Sequence, residues 1–101
     1  MDLGKAIKLI RNQKSIRQNS LAEMSGISQT YLSQIENNIK EPNISTLKVI
    51  CDKLNVPLPV LFFLAFDTND IAPEKRVAFK HLSPSINSMI LEFFGEKILN
   101  E

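Results

Sequence analysis

Cysteine is nearly absent. A lone Cys51 cannot close an internal disulfide, and with no His, Cys or acidic partner at ligand spacing it is expected to be a buried, inert thiol on an apolar stripe, with no metal site. Long apolar runs are missing too: the longest, Val56 to Phe66, reaches about half of the roughly 20 residues a spanning helix needs, and Pro57 and Pro59 interrupt it. Without a basic and apolar leader, the expectation is a soluble cytoplasmic chain with no membrane contact. Charge of one sign is equally scarce. Twelve Lys and Arg against eleven Asp and Glu leave +1, too little to identify a polyanion-binding tail or an acidic buffer. Only Gly4, Gly26 and Gly95 supply glycine, which argues against hairpin-rich sheet. Catalytic signatures are lacking as well: there is no Gly-rich phosphate loop, no paired catalytic carboxylates, and no serine or cysteine partner for the sole histidine, His81. Neither an enzyme nor a cofactor is expected.

What is present is helical periodicity. With 101 residues and 44% of them apolar, the chain has material for one core and reads as all-α. Leu3, Ala6, Ile7 and Ile10 fall at i, i+3, i+4 and i+7, predicting a first helix over Leu3 to Gln13 with Lys5, Lys8 and Arg11 between the apolar positions. A short second helix, Arg17 to Met24, turns Leu21 and Ala22 inward and stops at Gly26. Ser28 then caps a third, Gln29 to Asn37, anchored by Leu32 and Ile35. Its remaining face, Gln29, Thr30, Ser33 and Gln34, is all amide and hydroxyl. Asn37 and Asn38 end it, Asn43 or Ser45 caps a fourth helix with Leu47, Ile50, Cys51 and Leu54 inward, and Pro57 opens a fifth from Leu58 to Phe66.

Asp67 to Pro73 reads as a connector. Beyond it the spacing predicts a helix over Glu74 to Leu82, a turn at Ser83-Pro84-Ser85, and a last helix with Ile86, Met89, Ile90, Phe93, Phe94 and Ile98 apolar: a two-helix hairpin. The expected organisation is a five-helix domain over residues 1–66 followed by this hairpin over 67–101. Charge divides nearby. Residues 1–56 carry eight basic and five acidic side chains, a balance of +3, whereas residues 57–101 carry four and six, a balance of −2.

The stretch from Gln18 to Glu36, QNSLAEMSGISQTYLSQIE, resembles the helix-turn-helix of the phage repressor and Cro family. Leu3-Gly4, Ile7, Ile10 and Arg11 before it, and Pro42, Leu47, Leu54 and Val56 after it, extend the resemblance over Leu3 to Leu61. It departs from the pattern at Arg17, where the family has a capping Ser or Thr, and at Asn38, where glycine is common. The resemblance implies a sequence-specific transcriptional regulator of double-stranded DNA, by expectation a repressor, whose Gln29, Thr30, Ser33 and Gln34 meet base edges. It further implies phosphate contacts from Arg17, Gln18, Asn37, Asn38 and Lys40, and a structural ion pair between Arg11 and Glu36. Glutamine amides suit this work because a donor and an acceptor side by side match the N6 and N7 edge of adenine. The apolar surplus after Pro73 points to a homodimer through Val77, Ile86, Met89, Ile90, Phe93 and Phe94, reading a palindrome. The alternative is an antitoxin or co-regulator whose main task is binding another protein through the same segment.

Overall fold

Three of the first four helices begin where a side chain caps them. In the computed structural model, which describes residues 1–94, Asp2 accepts from the Lys5 N–H at 2.8 Å and starts α1, Leu3–Gln13. Helix α2, Gln18–Ser25, opens at Arg17 with no side-chain cap and closes on Gly26 at φ 72°, a left-handed turn that glycine adopts without steric cost. Two residues later Ser28 starts α3, Gln29–Glu36, its hydroxyl accepting from Tyr31 N–H at 3.0 Å. Asn43 does the same for α4, Ile44–Leu54, which ends on Asn55 in the left-handed region. Pro57 precedes α5, Leu58–Ala65. These bounds match the sequence expectation to within a residue or so.

The apolar stripes of all five helices meet in one core. Ile7, Ile10, Leu21, Leu32, Ile35, Ile50, Leu54 and Leu61 are fully buried, each worth about 1.5–3 kcal/mol of burial. Helix α5 packs chiefly on α1, and the Asp2 N–H donates to Ala65 O at 2.7 Å, so both ends of the domain are tied together. Two 3-10 turns, Thr68–Asp70 and Pro73–Lys75, form the connector. The Met1 ammonium sits against it, 3.3 Å from Asp67 and 2.8 Å from Asp70.

The expected C-terminal hairpin is not formed. Ser83-Pro84-Ser85 does not turn the chain; one helix, α6, runs Arg76–Phe94 with Pro84 inside it. Proline removes one backbone bond and crowds the carbonyl four residues earlier, at a cost of about 3 kcal/mol. The helix nevertheless continues, and its half-buried side stays in phase across the proline: Phe79, Ser83, Asn87, Ile90 and Phe94 follow one another at three- and four-residue steps. Facing the domain are Phe79, Ser83, Asn87, Ile90, Leu91 and Phe94, all half-buried, and Phe94 packs against the core. Ile98, expected on the same stripe, lies outside the described residues. Among the described residues no helix is long and apolar enough to cross a membrane.

Candidate nucleic-acid interface

A helix that must read something needs one face fixed and one face free. Leu32 and Ile35 are fully buried and fix α3 against the core, while Gln29 and Thr30 in its first turn are exposed and Ser33 and Gln34, one turn on, are half-buried. The four lie on one side because residues four apart stack on a helix. The structure therefore brings together all four side chains singled out from the sequence. Tyr31 is directed to the other side and packs against the core.

Around this face stand the flanking groups. Arg17 is exposed at the start of α2, and Gln18 is half-buried beside it. Lys40 is exposed past the C-terminal end of α3, where Ile39 N–H and Lys40 N–H both donate to Gln34 O at 2.8 and 3.2 Å. Asn37 is exposed, but its amide donates back to Ser33 O at 2.9 Å and so closes the helix end. Asn38 adopts φ 58°, the backbone that the family's glycine supplies. Its side chain has a second use: the amide oxygen accepts from Gly4 N–H at 3.2 Å and the amide nitrogen donates to Asp2 at 2.7 Å. That bond, together with the Lys5 backbone N–H, holds the Asp2 carboxyl below its ordinary value.

Beneath the face, Arg11 grips Glu36 with two donors, Nε to Oε2 at 2.7 Å and Nη2 to Oε1 at 2.9 Å, and gives Nη1 to Ile16 O at 2.9 Å. Both residues are buried, so α1 is locked to the end of α3 in a water-poor setting. Gln18 Nε2 donates to Glu36 Oε1 at 3.1 Å, and Gln29 Nε2 reaches Gln18 Oε1 at 3.4 Å. The sequence announced the ion pair but not this extension, since nothing in the spacing shows where a glutamine amide will turn. Gly4 was read only as a landmark. A Cβ there would press on Ile35 O and would stand 2.7 Å from Glu36 O, so the glycine lets α1 touch the end of α3.

The expected partner-binding residues of the C-terminal segment divide. Ile86, Met89 and Phe93 are exposed on one side of α6, Phe93 at 79%, whereas Ile90 and Phe94 turn toward the domain. Val77 is exposed but lies roughly half a turn around the helix from the first three. Leu82, not expected, is exposed on the same side as Ile86, Met89 and Phe93, and the heptad steps between them are the signal that would have found it.

A sequence model of the helix-turn-helix family matches residues 7–61. Among similar proteins, the immunity repressor protein of Bacillus phage phi105 is 33% identical over 61 residues, spanning 60% of this chain and 42% of that one. The ImmF control region 10 kDa protein of the same phage is 42% identical over 59 residues, 58% of this chain and 66% of its own. This chain thus spans less than two thirds of either. The fold is similar to that of the clp gene regulator ClgR from Corynebacterium glutamicum, with TM-score 0.64 and 29% identity over 71% of this chain and 91% of that one. It is also similar to a mutant of the restriction-modification controller protein C.Esp1396I, with TM-score 0.58 and 34% identity over 60% and 79%.

Proposed function

Because this chain belongs to the helix-turn-helix family, we propose that it is a sequence-specific double-stranded DNA-binding transcriptional regulator, a repressor, that reads a palindromic operator as a homodimer through α3. One observation carries the reading: Gln29, Thr30, Ser33 and Gln34 form a single accessible face free of bulk and of charge, on a helix whose other face is locked into the core. Such a rod fits a major groove about 12 Å wide. Gln29 and Gln34 then meet base edges first, with Thr30 and Ser33 as shorter-range contributors. Arg17, Gln18, Asn37 and Lys40 flank the groove and meet phosphates, which set register and not sequence. Asn38 joins them through its backbone, since its side-chain amide already binds Asp2 and Gly4.

Two copies are needed because one recognition helix covers only a few base pairs, and a two-fold pair reads half-sites about 34 Å apart. The side of α6 that carries Leu82, Ile86, Met89 and Phe93 supports the pairing, because side chains at steps of four, three and four line a helix seam. The same seam suits a helix of another protein, the case of an antitoxin or co-regulator. Sequencing-based selection from random duplexes tests the primary reading. Enrichment of an inverted repeat is expected; recovery of no preferred sequence would refute it.

A further inference from the structure

The hydrogen bonds under the recognition helix run in an order that chemistry permits in only one direction. Glu36 offers acceptors alone, because both carboxylate oxygens are already bound to the Arg11 guanidinium, at 2.7 and 2.9 Å, and hold no proton to donate. Gln18 must therefore show Glu36 its NH2 end, which it does at 3.1 Å. That choice leaves the Gln18 carbonyl oxygen facing Gln29, 3.4 Å from Gln29 Nε2. Were Gln29 turned over, two amide oxygens would oppose each other there. The NH2 of Gln29 is thus held on the Gln18 side, and one of its N–H groups remains for the groove next to the free carbonyl oxygen.

An amide reads a base by the order of its donor and acceptor, and turning it over reverses that order. We propose that Glu36 is a positioning residue for specificity: acting through Gln18, it fixes which way round the Gln29 amide enters the groove and so which base pair is preferred there. The inference rests on the DNA-binding reading above and goes beyond the structural part played by the Arg11–Glu36 pair. Gln18 then has two separable duties, a phosphate contact that helps every sequence equally and an orienting bond that acts at one base pair.

The test compares binding to the selected duplex and to duplexes changed one base pair at a time. Gln29→Ala first identifies the pair whose preference depends on Gln29. Gln18→Leu, on the half-buried rim and leaving Arg11–Glu36 whole, is expected to weaken all duplexes somewhat and also to reduce discrimination at that one pair by at least about fivefold. Glu36→Gln, whose amide can offer Gln18 either a donor or an acceptor, is expected to relax the same pair and no other. Discrimination is a ratio among duplexes, so a smaller folded fraction does not mimic it. Discrimination at the Gln29 pair left intact in either Gln18→Leu or Glu36→Gln overturns the proposal while leaving the DNA-binding reading standing. If wild-type protein prefers no sequence at all, that reading fails and this one with it.

Discussion

Arg11 shows what one residue can carry here. All three of its guanidinium nitrogens donate inside the protein, two to Glu36 and one to Ile16 O, so Arg11→Met strands a buried carboxylate. The expected loss is about 3–5 kcal/mol in urea unfolding, and the double variant Arg11→Met/Glu36→Leu should regain much of it, because the cost lies in the unpaired charge. Cys51 makes a milder case. Burial pushes its thiol up from 9.0 to about 11, so the folded state keeps the proton that the unfolded chain has already released. Its contribution is complete below pH 9 and lost as pH rises toward 11. Urea midpoints at pH 8 and pH 10.5 are expected to fall more for wild type than for Cys51→Ala. At this scale the Arg11–Glu36 pair was legible only through the family resemblance, since nothing in the spacing of residues 25 apart announces it. The sequence was silent on where side-chain amides turn. Asn38, expected at a phosphate, spends its amide on Asp2 and Gly4, and only the three-dimensional approach of α1 to α3 reveals it.

At the scale of elements, caps explain most of what could be read in advance. Ser28, Asn43 and Gly26 stand where a local rule puts them: α3 and α4 begin and α2 ends accordingly. Proline was the weak signal. Pro57 opens a helix, but Pro84 sits inside one, where the half-buried side keeps its phase from Phe79 to Phe94, a property of some fifteen residues and not of the tripeptide around the proline. Pro84→Ala should restore the missing backbone bond from residue 84 to Lys80. Greater helicity by circular dichroism and a gain of up to about 3 kcal/mol are expected; unchanged helicity and stability would mean that the proline costs this helix nothing.

For the whole molecule, the function proposed above gives reading to the packed body and pairing to the exposed seam on α6. Met89→Glu places a charge in the middle of the seam, where the exposed side chain contributes nothing to the core of the single chain. Sedimentation should show a dimer for wild type and, for this variant, a monomer of unchanged helicity whose melting temperature no longer depends on protein concentration; a wild-type monomer would remove the pairing through α6. In the proposed complex the α3 amides enter the groove, and side-chain NMR reports on them directly. On titrating labelled protein with its selected duplex, the NH2 resonances of Gln29 and Gln34 are expected to shift most, with those of α6 unmoved by DNA. Unshifted Gln29 and Gln34 amides in a saturated complex would mean that another surface holds the duplex.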